Sequence, residues 1–379
     1  MAGKRVVKQS KKTKRLDVDG AMGIHLQEEI IMDILSRLPV RPVLRFKCVS
    51  KFWMTLISDP YFTMKHLNRA NNNLNSQKIL FISQRNGEFS LYCSSLSSVQ
   101  LFEDIQKLDW PSNRKPWSCR LYCCYNGLAL IGIGNYPEYK HHILLLWNPS
   151  TGESIVLPDP SFSPRRLYIC GLGYDPTSDD YKILKIDGAS RNEIITLKSG
   201  SWRKIDKHPI GVYPVLTDMD SLAFVHGAFH WLDSSLNNSV VSFSISNEVY
   251  GEIPLPEGMS LDGFNMDNII YGVSVFEGML CVYSTHIRKY TLWVMKDYGV
   301  KESWYQLFTK QGTDGYSIKV PKYRFSDGEV LLCCRNLLRT GSVFKTSKES
   351  SDLWPQSDLE RIQNGFVYTE SLISPKLLT

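Results

Sequence analysis

Residues Leu26 to Phe62 read LQEEIIMDILSRLPVRPVLRFKCVSKFWMTLISDPYF and pack three short helical signals into 37 residues. Ile30, Ile31, Ile34, Leu35 and Leu38 recur at three- and four-residue intervals, which stacks them on one helical face. Glu28 and Glu29 sit where a helix N-terminus favours negative charge, and Pro39 stops the helix. Pro42 suits the first position of a second helix carrying Val43, Leu44, Phe46 and Val49, because the N–H it lacks would have no intrahelical partner there. Ser50 can cap a third helix, with Trp53, Leu56 and Ile57, that Pro60 interrupts. Three helices this short leave an apolar face uncovered, so the segment needs either a partner or a place against its own chain.

The order of landmarks is specific. Leu26-x-x-Glu29, a helix ending in Ser36-Arg37-Leu38-Pro39-Val40, then Leu44-Arg45-Phe46-Lys47-Cys48-Val49-Ser50-Lys51 with Trp53, and Leu56-Ile57-Ser58-Asp59-Pro60, resembles a plant F-box almost position by position. The resemblance implies docking to a Skp-type adaptor and, through it, to the cullin and RING subunits of an SCF ubiquitin ligase. It also implies an adaptor-contacting set of Leu38, Pro39, Val40, Leu44, Cys48, Val49, Lys51, Trp53, Leu56 and Ile57. One departure is visible: Gln27 stands where the family usually has proline, which only pre-sets the first helical turn.

At 379 residues the chain exceeds what one compact core normally holds, so at least two domains are expected. Its net charge of +6 is concentrated at one end: residues 1–20 hold seven Lys or Arg against two Asp, +5, leaving +1 for the other 359. A near-neutral body argues against a nucleic-acid-binding surface. Nine cysteines, an odd number with neighbours at Cys123-Cys124 and Cys333-Cys334, and no apolar h-region after the basic start predict a reduced, intracellular protein. The longest apolar runs, such as Ile143 to Trp147, are far too short to cross a bilayer, so no membrane partner is expected. Residues 1–23 read as a disordered basic tail, 24–70 as the F-box helical domain and 71–76, rich in Asn, as a linker. Lys11-Lys12-Thr13-Lys14 resembles a short nuclear-import signal, and the expected location is nucleus and cytoplasm; a solvated tail with no address is the plainer alternative.

From Gln77 the character changes to short β-type runs between turn residues, and two motifs repeat. A turn followed by alternating apolar positions, anchored at 127, 180, 227, 278 and 328, recurs at intervals of 53, 47, 51 and 50. An apolar strand, polar turn and return strand, marked by Gly152, Gly200, Gly251 and Gly299, recurs at 48, 51 and 48. The two series share a period and run out of phase, so each unit holds about four strands, the content of a kelch-type propeller blade. The span 77–372 then gives about six blades, and the run Phe366 to Leu372, outside the series, is expected to return and complete the first. The fold class is multidomain, α plus all-β: a small helical F-box followed by a kelch-like β-propeller over 77–379.

Trp147-Asn148-Pro149-Ser150-Thr151, Gly171-Leu172-Gly173-Tyr174-Asp175-Pro176, Leu197 to Trp202, Gly251 to Pro256 and Leu292 to Lys296 resemble the plant F-box-associated interaction domain, including its S-locus type. That resemblance implies that the propeller holds a target protein for ubiquitination, with the chain as a non-catalytic substrate receptor. Two other readings stay open from the residues alone: a propeller enzyme whose F-box governs its own turnover, and an F-box protein that never assembles a ligase.

No motif for chemistry stands out. G-x-S-x-G, P-loop, G-x-G-x-x-G and H-E-x-x-H patterns are absent from the sequence, and no cofactor is expected. Trp147, Trp202, Trp231, Trp293 and Trp304 read as packing between blades rather than as a binding cage. Cys119, Cys123 and Cys124 near His141 and His142 lack paired C-x2-C spacing, so they read as buried strand thiols and no metal is expected. Asp179-Asp180 reads as a turn.

Overall fold

A two-residue turn with positive φ at both positions closes four hairpins: Asn86-Gly87, Asn126-Gly127, His226-Gly227 and Glu277-Gly278. Such type I′ turns match the twist of antiparallel strands and demand residues that tolerate the left-handed region, which is why the pattern repeats so visibly. The computed structural model describes residues 27–379 except 74–75, 97–103, 113–115, 135–141, 161–167, 188–191, 207–220, 234–235, 237, 260, 262–268, 287–288, 312–316, 337–340 and 347–359.

The first blade contains β1 (Gln77–Arg85), β2 (Glu88–Ser95) and β3 (Gln106–Leu108), and the second β4 (Ser118–Tyr125), β5 (Leu128–Gly134), β6 (His142–Trp147) and β7 (Ser154–Val156). The third runs β8 (Tyr168–Asp175), β9 (Asp180–Asp187), β10 (Asn192–Thr196), β11 (Ser201–Lys204). The fourth runs β12 (Ala223–Val225), β13 (Ala228–Leu232), β14 (Ser239–Ser244), β15 (Tyr250–Pro254). The fifth runs β16 (Ile270–Phe276), β17 (Met279–His286), β18 (Lys289–Met295), β19 (Trp304–Gln311). A further sheet holds β20 (Ser317–Arg324), β21 (Val330–Asn336) and β22 (Gly341–Lys345). Finally β23 (Glu360–Thr369) pairs antiparallel with β1, from Arg85↔Glu360 to Gln77↔Thr369, and gives the first blade its innermost strand. The type I′ turns of the second, fourth and fifth blades join the innermost strand to its neighbour, whereas Asn86-Gly87 lies one strand further out because β23 has taken the inner place.

Among the described residues the propeller therefore has five four-stranded blades where the sequence anticipates about six, and the remaining sheet has three strands. The closing strand is also longer and earlier than the run 366–372, because pairing with β1 extends back through a polar stretch that carries no strand signal of its own. Gly251, read as a turn marker, lies inside β15 opposite Ser242, while the turn carries its positive φ at Glu248.

The cores lie between blades. Leu130, Leu146, Cys170 and Ile183 pack between the second and third, Leu184, Ile194, Phe229 and Phe243 between the third and fourth. Ile79 and Phe81 share a cluster with Leu292, Leu331 and Cys333, which closes the ring through the three-stranded sheet. Outer strands are hooked in series: Trp202 Nε1 donates to Pro158 O (2.8 Å), the Tyr250 hydroxyl to Asp206 O (2.8 Å) and Trp304 Nε1 to Pro254 O (2.9 Å), each reaching the preceding blade. Trp147 and Trp231 are buried in the same inter-blade layers. Cys119 and Cys123 are buried and Cys124 half-buried; burial pushes their thiols up, and His141 lies outside the described residues.

Four helices precede the ring: α1 (Glu28–Leu35), α2 (Val40–Phe46), α3 (Lys51–Ser58) and α4 (Pro60–Asn71). The second begins two residues before Pro42. Ser50 Oγ caps α3 by accepting from Trp53 N (3.3 Å), and Asp59 Oδ1 caps α4 by accepting from Tyr61 N (2.7 Å). Pro60 thus starts a helix as well as ending one.

Candidate partner-binding surfaces

The helical unit has a small core of Leu35, Val40, Val43, Leu56, Ile57 and Phe62. Three of the ten residues that the resemblance assigns to adaptor contact are in it: Val40, Leu56 and Ile57 are at most 3% exposed and hold the helices to one another. Pro39, Cys48, Val49 and Lys51 are exposed, and Leu38, Leu44 and Trp53 are half-buried against the core's edge, Trp53 stacking on Phe46 at 5.5 Å. Two residues that the helical period places on the buried stripe face outward instead: Ile30 and Ile34, 44% and 50% exposed, one turn apart on α1. The width of that stripe is the available signal. Ile31, Leu35 and Leu38 already fill one core-facing side, and the adjacent Ile30 and Ile34 exceed what a single core accepts.

Charge fixes the rear of this unit. Asp33 on α1 takes Arg37 at 2.7 Å, Lys65 at 3.5 Å and Arg69, and the hydrogen bonds from Arg69 and then Arg37 hold its carboxyl down to about 2. Arg69 also donates to Asp33 O (2.7 Å), and His66 Nε2 meets Leu38 O at 2.9 Å, so α4 grips both ends of the α1–α2 corner.

The break in sequence character at 71–76 suggests few contacts between helices and ring, yet the two share hydrophobic clusters. Leu67 of α4 packs with Leu128, Leu146 and Tyr181 of the propeller. The segment after β23 is sewn between them: Leu372 enters the helical core and Ile373 the propeller core. Asn148 is fully buried, and its Nδ2 donates to Ser371 O (3.0 Å) and Ile373 O (2.8 Å) while Oδ1 accepts from Ser150 N (2.8 Å). A Cβ on Gly127, whose φ is +77°, would overlap Ser371. Glu370 pairs with Lys78 at 2.7 Å and Arg41 donates to Gln106 (2.8 Å). The exposed helical face is thereby held in one orientation to the ring.

At the end of the ring where the innermost strands finish, a cavity of about 900 Å³ opens on the axis. Its lining changes character around the circle. Strands β4, β8 and β12 present Tyr125, Tyr174 and Phe224, with Phe224 edge-on to Tyr125 at 5.0 Å. Phe224 lies over Gly173, where any Cβ would overlap the ring, which explains the second glycine of the Gly-Leu-Gly-Tyr-Asp-Pro motif. The opposite arc presents Glu277, Lys322 and Arg324; Arg324 pairs with Glu277 at 3.6 Å, and the Lys322 ammonium stands 4.1 Å from the centroid of Phe366 on β23. Tyr174 donates its hydroxyl to Asp179 (2.5 Å), a bond that pushes the phenol up to about 12.

Comparison with known proteins agrees with both halves. The family described as F-box associated beta propeller domain matches residues 78–351, and the F-box domain matches residues 24–65. The chain is 29% identical over 316 residues to F-box protein CPR1 of Arabidopsis thaliana, covering 75% of this chain and 72% of that one. An F-box/kelch-repeat protein of Arabidopsis thaliana is 25% identical over 372 residues, covering 93% and 96%.

Proposed function

The chain belongs to the F-box proteins that carry an F-box-associated β-propeller domain, and on that premise we propose that it is the substrate-recognition subunit of an SCF-type ubiquitin ligase. The F-box takes the Skp-type adaptor, the adaptor brings the cullin–RING complex, and the propeller holds the target protein. The chain itself supplies no covalent chemistry. It acts by position: a target held beside a charged conjugating enzyme meets it at an effective concentration far above its bulk value.

The observation that carries this reading is the apolar surface left outside a folded helical core: Ile30 and Ile34, one turn apart on α1, and Val49, 64% exposed, after α2, on a unit fixed to the ring through Leu67 of α4 and through Leu372. Adaptor capture by the purified full chain tests it. Replacing Leu38 and Pro39 together by Ala should abolish capture, since each 1.4 kcal/mol lost is tenfold in affinity and a contact leucine is worth about 2 or more. Leu38 also borders the core, so Ile34→Glu and Val49→Asp serve as surface controls that should lose the adaptor with an unchanged melting temperature. Ile57→Ala, by contrast, should cost the helical unit about 2–5 kcal/mol. If the surface variants keep wild-type capture, the docking assignment is wrong. In cells, the Leu38→Ala/Pro39→Ala chain should bind the target without delivering it and so lengthen its half-life, where the wild-type chain shortens it.

A further inference from the structure

The axial cavity combines two kinds of lining. Its volume of about 900 Å³ lies in the range of ligand pockets, and its walls come from β4, β8, β12, β16, β20 and β23, so it is a property of the closed ring and not of one loop. One arc is aromatic, from Tyr125, Tyr174 and Phe224. Among the described residues, the other carries two cations, Lys322 and Arg324, and one carboxylate, Glu277. Glu277 is committed to Arg324, and at the aromatic side Asp179 is committed to the Tyr174 hydroxyl and to Lys198 at 3.3 Å. The half-buried Lys322 stands deep enough for its charge to act on thiols of three sheets, Cys124, Cys281 and Cys333, opposing the burial that pushes them up. Cationic side chains thus stand at the cavity beside flat apolar surface.

We propose that this cavity binds a peptide segment of the target in which an acidic side chain lies next to an aromatic or large aliphatic one. The carboxylate is received by Lys322 and Arg324 across from the aromatic arc, which takes the apolar neighbour between Tyr125, Tyr174 and Phe224. A polypeptide is the occupant because the substrate-receptor reading makes the ligand a protein; Asn71 of α4 stands at the cavity's edge, so whatever enters lies beside the helical unit. This rests on the substrate-receptor reading, and names the chemistry that reading leaves blank.

The test uses the full-length chain immobilised on beads, with phage displaying random heptapeptides as the probe. The recovered peptides should carry Asp or Glu within two positions of Phe, Tyr, Trp or Leu. The double variant Lys322→Glu/Arg324→Glu should reverse the charge preference toward Lys and Arg. Because a carboxylate set on the Phe366 ring can disturb folding, Lys322→Met is the second variant: it keeps the apolar stem and should weaken a synthetic recovered peptide about tenfold in fluorescence anisotropy, with no change in unfolding temperature. Recovery of neutral or basic peptides, recovery of none, or full affinity in Lys322→Met would overturn the proposal. Adaptor capture scored on the same beads separates the two readings: its loss speaks against the receptor role, whereas adaptor binding without acidic-peptide selection overturns only the cavity assignment.

Discussion

Asn148→Asp changes one atom's chemistry at the seam between helices and ring. The Oδ1 that accepts from Ser150 N is preserved, but the Nδ2 that donates to Ser371 O and Ile373 O becomes an oxygen facing two carbonyls. Each buried carbonyl left without a donor costs about 1–3 kcal/mol, so the seam loses about 2–6 kcal/mol from these two alone. The new carboxylate adds a pH signature. Buried among acceptors, its folded pKa rises, whereas in the unfolded chain it stays near 3.9. A raised carboxyl pKa makes the folded state bind the extra proton, so the ionisation part of the penalty is absent below about pH 4 and grows as pH increases; for a folded pKa above 7, about 2.7 kcal/mol of it returns to the protein between pH 7 and pH 5. Hydrogen exchange read by mass spectrometry at both pH values is the assay. Protection should fall at pH 7 in the helices, residues 28–71, and in 370–378, while the strands of the third to fifth blades stay protected, and it should recover in part at pH 5. Unchanged exchange in the helices, or a loss that ignores pH, would refute the claim that this side chain ties the two parts together.

Two further outcomes follow from the packing, and a third from the basic tail. Removing residues 360–379 takes away the first blade's inner strand and bares the edge of β1, so the protein should aggregate, whereas removing 1–20 should leave thermal unfolding unaltered; light scattering and melting curves compare the two. Asp175, which burial acts to raise, is instead held well below the usual carboxylate range by Lys182 at 2.9 Å and by Ser246, Ser178 and the Thr177 amide. Its contribution is complete above the unfolded pKa of about 3.9 and drains as pH falls toward the folded value, so Lys182→Met should cost about 3–5 kcal/mol at pH 7 and flatten the acid side of the stability profile; an unaltered acid limb in melts from pH 3 to 7 would count against this pairing. We also propose that the basic tail directs part of the protein to the nucleus: changing Lys11, Lys12 and Lys14 to Ala should move a fluorescent fusion toward the cytoplasm, and an unchanged distribution removes the signal.

The turns are legible because their backbone admits few residues. Asn86-Gly87 and Asn126-Gly127 are strong signals for a left-handed pair, and the glycines that recur at Gly227 and Gly278 carry the period that yields the blade plan. Gly251 misleads for the same reason: glycine also serves where a side chain would collide, here with Ser242 Oγ, 2.9 Å from the position of its missing Cβ. The strand Glu360–Thr369 is half hidden because its first residues are polar, and partner pairing with β1, not local propensity, makes them β. On the helical unit, the period cannot say which of two adjacent apolar stripes turns inward, so it does not foretell that Val40, Leu56 and Ile57 are buried while Ile30 and Ile34 are exposed. Asn148 gives no sign at all, since a turn-forming asparagine looks the same whether or not its other end reaches residue 373.

Leu372 completes the helical core and β23 completes the ring, yet both are encoded at the far end of the chain from the parts they finish. On the ribosome, the helices at 28–71 emerge first and wait for a plug that arrives only after every other strand has been made. A chain that stalls or is cut before that point has an open ring and a helical unit missing part of its core. Order of synthesis thus makes the closure of the ring and the completion of the helical core a single late event, because one segment, residues 360–373, supplies both.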